Sequence, residues 1–192
     1  KIPGSPVAYW ASNVVLNLFS NEKRLSDYGD SRSGMQTGNN GLFLRLWFEV
    51  IFASIGLNYK NQNECSYYNK KWIPQPKGGG FRKWYGNFEY IVNYKNNGHA
   101  IRSYDGTGML KNSKYYFLKG ITWSHTTSGS YAARFLPNGY IFNVEAPTFY
   151  PNAGTDLLFV LANLNSKITN SLWAYINQTF HYLAGDVEKL CG

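Results

Sequence analysis

Aromatic side chains are too numerous in this chain to be left in water. Twelve Phe, sixteen Tyr and six Trp stand among 192 residues, of which only 16% are charged. Burying rings of that size offsets the entropy lost on ordering the backbone, so an intrinsically disordered segment is ruled out. A membrane span is ruled out as well, because no run of about 18 uncharged apolar residues occurs. The most apolar stretch, Leu42 to Leu57, carries Arg45 and Glu49. The length fits one domain of ordinary size, or a core domain with an appended segment.

The net charge of +8 is local. Eleven Lys and Arg lie between Lys60 and Lys119, against Glu64, Glu89 and Asp105, and outside that segment eight bases balance eight acids. A neutral scaffold bearing one basic segment points to a polyanion-facing surface, with a solvated lysine-rich face as the plainer reading. Cys65 and Cys191 have no partner at metal-ligand spacing. They are expected to be two reduced thiols of a cytoplasmic protein. The chain begins at Lys1 without a recognisable leader and is expected to be a piece of something longer.

The pattern of apolar residues predicts an α+β fold, with irregular mixed or antiparallel strands in the middle and helices toward both ends. Residues 3–19 read as a helix with Val7, Trp10, Val14 and Leu18 at helical spacing. Residues 20–41 read as a polar, glycine-dotted loop with little core, and 42–50 as an alternating strand. Pro76 to Gly80 reads as a flexible loop. Asn96-Asn97-Gly98 signals a hairpin between strands at 88–94 and 99–104. Further short strands are expected at 121–124, 131–136, 140–144 and 148–150. Two helical stretches then follow, broken near Asn165-Ser166, with a final strand over 178–183.

Familiar catalytic motifs are missing. There is no phosphate-binding GxxxxGK[ST], no HExxH and no GxSxG, and Gly78-Gly79-Gly80 lacks the Lys-Ser/Thr that would make it a nucleotide loop. His99, His125 and His181 stand singly, a pattern that is more often structural than metal-binding. No glutamate is followed two residues later by lysine, and the Asn/Asp-Pro-Pro-Tyr/Phe tetrapeptide that holds a flipped base in amino-methyltransferases is absent. The chain by itself is expected to catalyse nothing, to hold no metal and to bind no cofactor.

Four stretches together carry a resemblance. They are Lys1-Ile2-Pro3-Gly4-Ser5-Pro6-Val7-Ala8-Tyr9-Trp10; Gly34-Met35-Gln36-Thr37-Gly38-Asn39-Asn40 running into Phe43-Leu44-Arg45-Leu46-Trp47; Lys71-Trp72-Ile73-Pro74 with Lys77-Gly78-Gly79 and Phe81-Arg82-Lys83-Trp84-Tyr85-Gly86-Asn87; and Gly120-Ile121-Thr122-Trp123-Ser124 through Ala133-Arg134-Phe135 to Leu164-Asn165-Ser166-Lys167. From Lys1 to about Leu190 the chain resembles the C-terminal part of the adenine-specific DNA methyltransferases of BREX phage-defence systems, the PglX family. More distantly it is similar to the recognition regions of type IIG and IIL restriction–modification enzymes.

The resemblance implies a target recognition domain that selects a short word in double-stranded DNA and presents one adenine. An upstream Rossmann-like domain of the parent would bind S-adenosylmethionine and carry the Asn-Pro-Pro-Tyr motif. Methylation would mark the host genome and license exclusion of unmarked phage DNA, in the bacterial cytoplasm. Residues 1–41 would then be an N-terminal helix and junction to the methyltransferase domain, and residues 42–192 the recognition domain.

The residue types agree with such a role. Neutralising phosphates takes Lys and Arg, and reading base edges takes Arg, Asn, Gln, Ser and Thr. The candidate DNA contacts are Lys77, Arg82, Lys83, Arg102, Lys111, Lys114, Ser124, His125, Thr127 and Arg134, with Thr37, Gly38 and Asn39 as the junction motif. Each has a structural alternative. Lys77 to Lys83 suits a surface loop, Arg134 suits an internal pair with a carboxylate, and Thr37 to Asn39 suits a tight turn. Trp72, Trp84 and Trp123 suit the core. Rival functions are a protein-interaction domain, docking to sibling defence subunits or a phage DNA mimic, and an aromatic-rich carbohydrate-binding module.

Overall fold

A computed structural model describes residues 10–177 and 179–191. The chain is α+β, with two antiparallel sheets between helices at both ends. The larger sheet has the order β1-β7-β5-β6, formed by β1 (Gly29–Arg32), β5 (Gly120–Trp123), β6 (Ala133–Leu136) and β7 (Thr148–Pro151). The smaller has the order β2-β4-β3, formed by β2 (Leu44–Leu46), β3 (Trp72–Gln75) and β4 (Tyr90–Asn93).

The aromatics sort into cores on two sides of the larger sheet. Successive residues of a strand point to opposite faces, so Phe149 of β7 joins one core and Tyr150 the other. On the first side, Ile121, Trp123, Tyr131 and Phe149 pack with α1 (Asn13–Asn21), α5 (Leu157–Leu164) and α6 (Lys167–Ile176). On the second, Met35, Phe43, Tyr94, Phe117, Phe142 and Tyr150 pack with Ile73 and Val92 of the smaller sheet. A fully buried side chain of this size contributes roughly 1.5–3 kcal/mol, so these rings carry the fold. Buried Cys65 and Cys191 belong to different cores and are both free thiols. Burial pushes the Cys65 thiol up to about 11.

Several local expectations need correction. The Ser12 hydroxyl accepts from Val15 N–H and caps α1, which begins at Asn13. The helix buries Phe19, with Val15 and Leu18 against the core, and leaves Val14 exposed. The expected helix over residues 3–9 lies outside the described residues. Residues 20–41 are not a bare loop: β1 pairs with β7 along its whole length, and Leu25 and Met35 are core.

The strand over 42–50 shrinks to β2 because both of its ends are captured. Asn39 caps the helical turn α2 (Asn40–Phe43), and the Glu49 carboxylate takes the Leu46 N–H at 2.6 Å. The expected hairpin is instead α4 (Lys95–Arg102), opening with Asn96, Asn97 and Gly98 at φ of 51°, 57° and 71°. These residues do take the left-handed backbone that an Asn-Gly signal implies. Their side chains turn the segment onto α3 (Gln62–Tyr68), where Asn97 Oδ1 accepts from Gln62 Nε2 and Ser66 Oγ. Residues 140–144 and the described part of 178–183 make isolated bridges and no strand, and the chain closes with α7 (Ala184–Val187). The break at Asn165-Ser166 between α5 and α6 is as expected.

Candidate nucleic-acid interface

Three clefts adjoin through shared walls and form one groove. The first, about 380 Å³, is lined by residues that include Thr37, Gly38, Asn40 and Glu145. The second, about 390 Å³, is lined by Lys77, Gly78, Gly79, His125, Thr126 and Glu145. The third, about 430 Å³, includes Asn40, Arg45, Glu49, Lys77 and Tyr90. Glu145, Lys77 and Asn40 are the residues held in common. The groove therefore joins the junction motif to Lys77 of the basic segment, 40 residues after Thr37 in the chain.

At the first wall, Gly38 has φ +75°, and a Cβ there would sit 2.3 Å from Thr107 Oγ1. Only glycine fits. The Thr37 hydroxyl donates to Asn40 Oδ1 at 2.6 Å, Asn39 caps α2, and Asn39 Nδ2 donates to the Tyr104 hydroxyl at 2.9 Å. The motif is thus a built turn, with Thr37 and Gly38 at the groove and Asn39 serving the helix.

The glycine loop is held by its carbonyls. Ser124 Oγ donates to Gly79 O at 3.1 Å, and Asn87 Nδ2 donates to Gly80 O at 3.2 Å. Gly78 packs so closely on Glu145 that a Cβ would lie 2.8 Å from its carbonyl oxygen. Among the described residues, the N–H groups of Gly78, Gly79 and Gly80 have no protein acceptor. Gly79 and Gly80 are exposed, so these amides are free to donate to water or to a bound anion. Lys77 stands beside them, its ammonium 3.6 Å from Glu145 and 4.7 Å above the Tyr90 ring.

Beneath the loop sits Arg134, 1% exposed. Its Nη2 donates to Ser124 Oγ at 3.3 Å, so Arg134, Ser124 and Gly79 form one chain of contacts. Arg134 Nε has no hydrogen-bond partner, and no carboxylate pairs with the guanidinium among the described residues. Burial lowers its acidity range to about 10, Tyr131 raising it, Arg82 lowering it and Glu89 raising it. Arg134 is therefore neither an exposed base reader nor half of an ion pair. It is an uncompensated buried cation, which is costly to keep.

The other expected contacts scatter. Arg82 is exposed and 3.9 Å from Glu89. Lys83 donates to the carbonyl of Asn165, at the C-terminal end of α5, at 2.7 Å. Arg102, Lys111 and Lys114 are exposed and line none of the three clefts, Lys114 lying 4.9 Å over the Tyr115 ring. The Thr127 hydroxyl accepts from Gly129 N–H. Trp72 and Trp123 are buried, whereas Trp84 is 53% exposed at φ +75°, pinned to β6 by Trp84 N–H to Ala133 O and Phe135 N–H to Trp84 O. Of the eleven bases between Lys60 and Lys119, only Lys77 and Arg82 pair with a carboxylate among the described residues.

Sequence reasoning missed Glu145 and Arg45 as groove residues. Glu145 enters through a turn in which Asn143 Oδ1 accepts the N–H groups of Glu145 and Ala146. No local motif announces that turn, and its partners are far away in the chain. Among the described residues no cluster of His, Cys, Asp and Glu suits a metal ion, and no helix is long and apolar enough to cross a membrane.

No protein-family model matches the chain. Two curated proteins do. The adenine-specific methyltransferase PglX of Lacticaseibacillus casei (strain Zhang) is 43% identical over 99% of this chain. The adenine-specific methyltransferase BrxX of Escherichia coli O9:H4 (strain HS) is 35% identical over 98%. The chain spans only 16% and 15% of the lengths of these relatives.

Proposed function

We propose, for a chain homologous to one segment of the PglX and BrxX adenine-specific methyltransferases, that it is the DNA target recognition domain of such an enzyme. The observation that carries the reading is the groove over Arg134: a glycine loop with unpaired amides, flanked by Lys77 and His125 and underlain by a buried cation. A polyanion is the ligand that such a site suits. The duplex backbone lies along the groove, and the exposed bases of the 60–119 segment extend the contact through phosphates. The parent is a site-specific adenine-N6 methyltransferase of a BREX-type defence system, in which S-adenosylmethionine binds a different segment. The test is duplex binding by the 192-residue chain across a salt series. Affinity falls steeply with salt, by roughly 10³ or more between 50 and 200 mM if about six phosphates are contacted. Binding that is absent at low salt, or indifferent to salt, overturns the reading.

A second surface favours an additional interaction role. Trp47, Phe48, Ile51 and Phe52 are 51%, 62%, 80% and 65% exposed within six residues of chain. Clustered exposed apolar side chains mark protein contacts, and the remainder of the larger protein is the partner proposed here. Ile51→Lys leaves duplex binding by the isolated chain intact and weakens assembly of the full-length enzyme. Unchanged assembly removes this surface from the account.

A further inference from the structure

Two histidines from distant parts of the chain meet beside the glycine loop. A backbone bridge joins Thr126 to His181, and Tyr182 N–H donates to the His125 carbonyl at 2.7 Å. His125 Nδ1 lies 3.0 Å from Thr126 Oγ1, and His181 Nδ1 lies 2.9 Å from the same oxygen. The ring centroids are 5.4 Å apart.

A hydroxyl has one proton to donate. Where Thr126 donates to one Nδ1 it accepts from the other, which carries its own proton; where it accepts from both, each ring is an Nδ1–H tautomer. The ring that donates to Thr126 has, when neutral, a bare Nε2. A proton added at that nitrogen leaves both bonds to Thr126 in place. A second proton would turn both Nδ1–H groups onto Oγ1 and set two cations 5.4 Å apart.

The charged groups facing the pair decide what brings that proton. Lys77 and Glu145 offset each other across the cleft that His125 and Thr126 line. Arg134 lies below, linked through Ser124 to the loop carbonyl. Without an anion, His125 is held below its ordinary range, chiefly by burial and then by His181, while Glu145 pulls the other way. A bound phosphate oxygen adds the negative charge that reverses this balance. We propose that the cleft takes a backbone phosphate and that His125 takes up a proton from the buffer as the phosphate binds. This rests on the DNA-binding reading and adds a proton to it.

The sign follows from linkage. A group whose basicity rises on binding makes binding tighter as pH falls through the window between its free and bound values. The test is calorimetry of the 192-residue chain with a mixed-sequence 24-base-pair duplex at low salt, in two buffers of different ionisation enthalpy near pH 7. Uptake of about 0.3 to 0.6 proton per complex at pH 7 is expected, with affinity about three- to tenfold tighter at pH 6 than at pH 8. His125→Gln, which keeps a side-chain amide beside Thr126, abolishes both effects, whereas His99→Gln, away from the groove, keeps both. Salt-sensitive binding without proton uptake, or with uptake that survives His125→Gln, overturns the proton proposal alone. No duplex binding at any salt overturns the DNA reading with it.

Discussion

Two glycine-bearing segments of the basic stretch look alike in sequence and are opposite in structure. Asn96, Asn97 and Gly98 take left-handed backbone, and their side chains are spent on the protein itself: Asn96 on Asn69, and Asn97 on Gln62 and Ser66. Gly78, Gly79 and Gly80 have no side chains to spend. The carbonyls of Gly79 and Gly80 are taken by Ser124 and Asn87, and the three amides are left unpaired among the described residues. The first segment closes a fold and the second opens a site. Polarity and glycine content are common to both; what separates them is where the backbone donors go.

The largest effect that sharpens this contrast is expected at Gly78. Gly78→Ala sets a Cβ 2.8 Å from the Glu145 carbonyl and pushes the loop off its floor. Duplex affinity is expected to fall by more than about tenfold, with the melting temperature shifted far less than a core substitution would shift it. Gly98→Ala is the mirror case. With φ +71° and a Cβ 2.8 Å from the Tyr94 ring, it is expected to cost about 1–3 kcal/mol of stability, read by denaturant unfolding, and to leave duplex affinity unchanged.

Arg134→Met separates charge from packing. Replacing an unpaired buried cation by an apolar chain of similar length is expected to leave stability equal or higher. Duplex affinity is expected to drop roughly tenfold through loss of the Ser124 contact and of local positive charge. A loss of stability with unchanged affinity would make Arg134 a purely structural residue. Lys77→Ala is expected to weaken binding several-fold for all sequences and to flatten the salt slope by about one. The smallest effect is at Asn97→Ala, expected to cost about 1 kcal/mol by removing an acceptor shared by Gln62 and Ser66. It is expected to leave duplex binding untouched.

The parts legible in the sequence are those where the local pattern and the tertiary environment ask for the same thing. β5 and β7 follow from short apolar runs that are buried on both faces, and the α5–α6 break follows from Asn165 and Ser166, which cap the two helices. Lys77 and the glycine run stood out by charge and composition. The hairpin at 96–98 failed because α3, 30 residues upstream, supplies the donors that the Asn side chains accept. Arg134 stands among the candidate DNA contacts, yet nothing along β6 tells that its guanidinium lies beneath another loop. Glu145 was invisible because the groove it completes is assembled from stretches far apart in the chain, and no local motif marks its own.

The amide resonances of Gly78, Gly79 and Gly80 test the central contrast most directly. In a duplex titration followed by ¹H–¹⁵N correlation spectra, a phosphate-facing loop gives the largest shifts at those three amides, while Asn96, Asn97 and Gly98 stay in place. Shifts concentrated at 96–98 or at Lys111 and Lys114, with the 78–80 amides unmoved, would contradict the account.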